Sequence, residues 1–256
     1  MLTKKSSKNC TWIAFFFLHL HVALNLKIGE YPHHVSLERD GIRVCSGAII
    51  DLNKVLTIEH CLIYGNVTVR YGSDVVMTDG VVVKIERVVF HPFYKKHKPD
   101  YNLAVVIVKE NFTFGPNCAP ISIYWEYVPI ELRNGWTSGW RRTSSKNKWS
   151  LKLSDARMEE LGFTQCVRAW DTIFSKNLLC FENVDGNPCV GDSGAPLVDD
   201  SKLFLIGIIV AESLVCDQNN HPTVYVNVAM YYEWISNQIE FLKDATSSAS
   251  NIKKFF

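Results

Sequence analysis

The chain has 256 residues, with 27 Lys and Arg set against 26 Asp and Glu for a net charge of +1. Near-neutral charge without a long run of one sign gives no electrostatic footprint for nucleic acid. A composition of 47% hydrophobic and 21% charged residues excludes a disordered chain and suits one large all-β domain.

The N-terminus opens with Lys4, Lys5 and Lys8, followed by the apolar run from Trp12 to Leu18, which continues less purely to Leu24. A basic start, a short apolar run and a small residue such as Ala23 predict a signal peptide over residues 1–23. As a membrane anchor the run is too short and too interrupted to give a stable span. Secretion makes the 8 cysteines candidates for disulfides. Two acceptor triplets, Asn66-Val-Thr68 and Asn111-Phe-Thr113, add candidate glycosylation sites.

From Tyr31 onward, short Val/Ile/Tyr/Phe-rich runs alternate with turn residues: Arg43 to Ile50, Val67 to Tyr71, Val81 to Phe90, Leu103 to Val108 and Leu203 to Val210. Strands spaced this way without amphipathic helices between them predict an all-β sandwich or barrel. Val228 to Ile239 has apolar positions at helical spacing and predicts a terminal helix. Residues 24–243 form one domain on this reading, and 244–256 form a loose tail. His19, His21, His33 and His34 lack neighbouring ligands at zinc spacing, and no calcium or phosphate loop is present, so neither metal nor cofactor is expected.

The strongest motif is Gly191-Asp192-Ser193-Gly194-Ala195-Pro196-Leu197. Its glycines allow a tight turn that exposes a hydroxyl, while the N–H groups of Gly191 and Ser193 can point together as an oxyanion hole. Thr57-Ile-Glu59-His60-Cys61 places a histidine beside a cysteine, with Cys45-Ser-Gly upstream. Together these resemble the chymotrypsin/trypsin-like serine protease family. The resemblance runs from about Leu20 to Ile239 and takes in Tyr31-Pro32, Ser138-Gly139-Trp140 and Pro222-Thr-Val-Tyr225.

The resemblance implies two six-stranded antiparallel Greek-key barrels with a C-terminal helix, acting as a monomer on protein or peptide. It implies disulfides Cys45–Cys61, Cys166–Cys180 and Cys189–Cys216. Cys118 is left as a free thiol or as the partner of Cys10 in an uncleaved form. It also assigns His60 and Ser193 to catalysis.

The same alignment exposes three departures. In Asp100-Tyr-Asn102-Leu-Ala104-Val-Val106 the triad-acid position falls on Asn102. Asp100, two strand residues earlier, would stand roughly 6.6 Å away along the chain and needs a local rearrangement to help. Glu59, beside His60, is a poor substitute if strand side chains alternate.

The activation stretch matching the family is Leu20-His-Val-Ala23, preceded by His19. It has no basic cleavage residue, so Asp192 would lack its ammonium partner; alternatively, the first two dozen residues are a mis-assigned exon. In the specificity pocket, Asn187, Glu212 and Thr223 replace the family's usual residues, two of them adding side chains where glycines leave a slot.

The reading is a secreted serine protease homologue with reduced or lost endopeptidase activity and a binding or regulatory role. The alternative is an active endopeptidase with chymotrypsin- or elastase-like preference.

Overall fold

The computed structural model describes residues 28–63, 65–96, 98–125, 133–140, 142–143, 148–170, 175–184, 193–211 and 222–239. The first six strands are β1 (His34–Arg39), β2 (Ile42–Asp51), β3 (Lys54–Thr57), β4 (Val67–Tyr71), β5 (Val81–Phe90) and β6 (Ala104–Val108). They close into a barrel in the order β1-β2-β3-β6-β5-β4, every pairing antiparallel. Asp40 and Gly41, with φ of 52° and 76°, make the tight turn between β1 and β2. β-Branched residues dominate the buried core of this half. Val35, Val55, Val69, Val105 and Val106 are buried with Leu37 and Leu56, on the two faces of these strands. Each such side chain contributes about 1.5–3 kcal/mol on leaving water.

The second half contributes β7 (Ser122–Ile123), β8 (Asn134–Gly139), β9 (Arg142–Thr143), β10 (Lys148–Trp149) and β11 (Ser154–Glu160). It continues with β12 (Leu178–Asn183), β13 (Pro196–Asp199), β14 (Phe204–Ala211) and β15 (Thr223–Asn227). The order β13-β8-β11-β12-β15-β14, closed by β13 pairing β14, is a second six-stranded barrel, with β7 added in parallel to β14. Met158, Phe181, Leu197, Ile206, Ile209 and Tyr225 pack its interior. β9 and β10 form a separate two-stranded ribbon.

Two helical details differ from the sequence expectation. A helix does intervene among the strands: α1 (Phe163–Trp170) buries Cys166, which is bridged to Cys180 on β12. Eight residues are too few to announce a helix by periodicity, and the disulfide supplies what length does not. The terminal helix begins as a 3₁₀ turn over Val228–Tyr231, capped by Asn227 Oδ1 accepting from Ala229 N–H, and becomes α-helical over 232–239.

The halves meet where Ser46 N–H, on β2, donates to Ser193 O across 2.9 Å. The strap between them is pinned at both ends, Ile121 N–H to Ile49 O at 2.9 Å and Tyr124 N–H to Leu205 O at 3.0 Å.

Candidate active site

His60 lies on a 3₁₀ turn, Glu59–Cys61, that follows β3. Strand alternation, expected to aim Glu59 and His60 apart, does not apply, because both belong to this turn. The turn is held by the Cys45–Cys61 bridge, with Cα atoms 5.9 Å apart, and by Leu62 N–H donating to Glu59 O at 2.8 Å. The imidazole keeps an exposed edge, while desolvation of the remainder lowers its pKa below the ordinary histidine value.

Asn102 is buried, and its amide is oriented by chemistry. Glu59 N–H donates to Asn102 Oδ1 at 2.9 Å. A backbone N–H can only donate, so oxygen must face it and the amide nitrogen must face the other way. That nitrogen stands 3.3 Å from His60 Nδ1. An amide NH₂ can also only donate, so Nδ1 accepts and the neutral ring carries its proton on Nε2.

Asp100 is engaged elsewhere. The strand geometry expected for it is absent: β6 begins only at Ala104, and Tyr101 adopts a left-handed φ of 60°. This turn lets Tyr101 N–H donate to Tyr231 Oη at 3.0 Å. The Asp100 carboxylate accepts from Ser175 Oγ–H and from Asn177 Nδ2, the latter at 3.2 Å.

Ser193 is half-buried and sits against the same disulfide as His60, its carbonyl oxygen 3.8 Å from Cys61 Sγ. Among the described residues, no hydrogen bond joins Ser193 Oγ to the His60 ring. Gly194 follows at φ +84°, donating to Ile209 O at 2.9 Å. A Cβ there would come within 2.3 Å of Ser46 O and 2.7 Å of Thr57 Oγ1, so only glycine passes.

Thr223 opens β15, buried and paired to Phe181. Beside it, Trp170 Nε1–H donates to Pro222 O at 3.0 Å, tying α1 to this strand. Gly191, Asp192, Asn187, Glu212 and the Cys189–Cys216 pair lie outside the described residues. Cys118 is a free, buried thiol whose pKa burial raises to about 11. It lines a cleft of about 440 Å³ with Tyr71, Val81 and Phe114.

The ring nitrogen of His60 and the sulfurs of Cys45 and Cys61 lie within 4.8 Å of one another, but the sulfurs are bonded together and offer no thiolate to a metal. His34 spends both ring nitrogens, with Nδ1 2.7 Å from Ser138 Oγ and Nε2 3.1 Å from Ser46 Oγ. His33 is buried with Nε2 unpartnered, and desolvation lowers its pKa to about 3.

The residues that sequence reasoning passed over are the backbone N–H of Glu59, which sets the Asn102 amide, and Ser175 and Asn177, which hold Asp100. A backbone donor leaves no side-chain signal. The other two stand 75 and 77 positions from their partner.

The family described as Trypsin matches residues 24–235. Trypsin 5G1 of Aedes aegypti is 31% identical over 216 residues, covering 81% of this chain and 80% of its own. Trypsin alpha-4 of Lucilia cuprina is 28% identical, covering 81% of this chain and 82% of its own. Trypsin alpha of Drosophila melanogaster is 27% identical, with the same two coverages, 81% and 82%. Among solved structures, neuropsin, a serine protease expressed in the limbic system of mouse brain, superposes with a TM-score of 0.76 at 23% identity. That superposition covers 84% of this chain and 97% of neuropsin.

Proposed function

Because the chain belongs to the trypsin family of serine proteases, we propose that it is a secreted homologue with weak or absent endopeptidase turnover, kept as a binding or regulatory surface for protein or peptide. The observation that carries this is the 3.3 Å approach of the Asn102 amide nitrogen to His60 Nδ1. The family's nucleophilic step needs Nε2 unprotonated, so that it can take the serine proton, and a carboxylate at Nδ1 to stabilise the imidazolium. Here Asn102 stands in place of the acid and holds the ring in the opposite tautomer. The same exchange of acid for amide is known in this family to lower turnover about 10⁴-fold, which corresponds to about 5.5 kcal/mol of transition-state stabilisation.

Two further features support the reading. His19, not Lys or Arg, stands immediately before Leu20-His-Val-Ala23, so the family's cut would not generate there the ammonium that pairs with Asp192. In the family's pattern Thr223 and Glu212 occupy specificity-pocket positions that are usually glycine, which favours small partners. Gly191 and Ser193 keep the residue types of an oxyanion hole, and His60 and Ser193 both survive. That retention favours the second reading, an active endopeptidase with chymotrypsin- or elastase-like preference.

Exposed Asn66 and Asn111 would carry glycans on a secreted monomer, after loss of the leader over 1–23. An organophosphonate serine probe, incubated with the purified protein and followed by intact mass, separates the two readings. The expected result is no adduct on Ser193. Rapid stoichiometric labelling would establish the active enzyme instead.

A further inference from the structure

The connection from β5 to β6 opens with two consecutive turns. Tyr94 N–H donates to His91 O at 3.1 Å, and Lys98 N–H donates to Lys95 O at 3.0 Å. A turn closed this way keeps its end residues within about 7 Å of one another. The root of the loop is fixed. His91 N–H donates to Leu103 O at 3.0 Å, and the His91 ring packs against Tyr101, Tyr231 and Trp234, with centroids 5.0, 5.3 and 4.7 Å away.

Phe93 stands on this base without being covered by it. Its N–H donates to His91 Nδ1 at 3.3 Å, yet the residue stays 68% exposed. One exposed apolar side chain is ordinary on its own. This one stands among cations. Lys95, Lys96 and Lys98 are all exposed, and residues 92–98 contain no acid. Among the described residues no ion pair engages any of the three. Asp100, the acid nearest in the chain, is held by Ser175 Oγ–H and Asn177 Nδ2.

From this loop we propose a peripheral docking surface for a bilayer rich in anionic phospholipid. The three ammonium groups meet the negative headgroups, and the Phe93 ring settles at the boundary between headgroups and acyl chains. A soluble polyanion would answer the lysines and offer nothing to the ring, so the ring decides in favour of the membrane. The turns are already formed, which keeps the ordering cost of docking small. Contact of this kind is peripheral: among the described residues no helix is long and apolar enough to cross a membrane. The proposal does not depend on the tautomer of His60.

Cosedimentation of the full chain with vesicles tests it, using phosphatidylcholine alone and phosphatidylcholine mixed with phosphatidylserine in equal parts. Binding is expected on the mixed vesicles only, and it should fade as salt is raised. Replacing Lys95, Lys96 and Lys98 together by Ala is expected to weaken it by about a hundredfold, at about fivefold for each lysine. Phe93→Ala is expected to weaken it about tenfold, whereas Phe93→Trp, which keeps a ring in place, should preserve it. Urea midpoints of the variants check that each remains folded. No binding to the mixed vesicles would overturn the proposal, as would equal binding to both kinds. Binding that survives loss of the lysines would overturn it too. Vesicle binding indifferent to Phe93→Ala, accompanied by binding of soluble heparin, would assign the loop to a soluble polyanion instead.

Discussion

Glu59 holds Asn102 by the amide oxygen, N–H to Oδ1 at 2.9 Å, and this backbone contact decides what His60 meets. Were the oxygen free, the amide could turn over and accept from Nδ1–H, leaving Nε2 as a base. With the oxygen committed, turning over would place NH₂ against the Glu59 N–H, losing that part-buried hydrogen bond at about 1 kcal/mol or more. The side chain is 4% exposed, so water is poorly placed to compensate.

Asn102→Asp is the natural repair, and it is expected to achieve little. An aspartate there would accept from both Glu59 N–H and His60 Nδ1–H and restore the basic Nε2. The activation segment and the pocket would remain as they are. Phosphonate labelling of this variant is expected to rise by less than about tenfold, against the roughly 10⁴ a lone triad defect would return. Recovery near the larger figure would show that the acid alone was limiting.

Gly194→Ala should be severe. The new Cβ would lie 2.3 Å from Ser46 O and 2.7 Å from Thr57 Oγ1, at a left-handed φ of +84°. Overpacking and the conformational penalty together suggest about 3–5 kcal/mol of lost stability. Urea denaturation checks it, and a loss under 1 kcal/mol would show that the junction yields more readily than the geometry implies.

In the first barrel, Glu38 is 1% exposed and receives two bonds from Arg70, Nε to Oε1 at 2.6 Å and Nη2 to Oε2 at 3.1 Å. Arg70→Leu leaves that carboxylate buried without its cation, at a cost of about 3–5 kcal/mol. The double variant Glu38→Leu/Arg70→Leu should recover most of the loss. Denaturation of both proteins tests the pair, and equal losses would count against this account.

Acid sensitivity should trace to His33. Its folded pKa is lowered to about 3, against an ordinary value of 6.5. Above the ordinary value both states are neutral and the group has no effect. As pH falls below it, the unfolded chain binds a proton that the folded chain refuses, so stability is lost down to about pH 3. The slope is at most about 1.4 kcal/mol per pH unit. His60 and His91, whose pKa values burial also lowers, act in the same direction. His33→Phe should flatten the stability curve between the two pKa values, and an unchanged curve would assign the acid sensitivity to other groups.

Much of this was legible in the sequence. The runs Val67 to Tyr71 and Val81 to Phe90 coincide with β4 and β5, because alternating β-branched residues between turn residues have few other uses. Cys45–Cys61 and Cys166–Cys180, implied by resemblance, are both formed. α1 was missed, although Phe163, Cys166 and Trp170 sit at helical spacing, since a two-turn helix is set by its disulfide and its packing more than by its own pattern. The Asp100 turn reads as strand from the sequence because Tyr101's left-handed backbone is stabilised by Tyr231, 130 positions away. Contacts of that range leave no local trace.

The position of one proton underlies the whole account, and nitrogen-15 NMR of histidine-labelled protein reads it directly. Near neutral pH, His60 should show Nε2 in the protonated range and Nδ1 in the unprotonated range, with no strongly deshielded Nδ1 proton. A proton on Nδ1, bonded to an acceptor and leaving Nε2 bare, would contradict the account and make His60 a competent base.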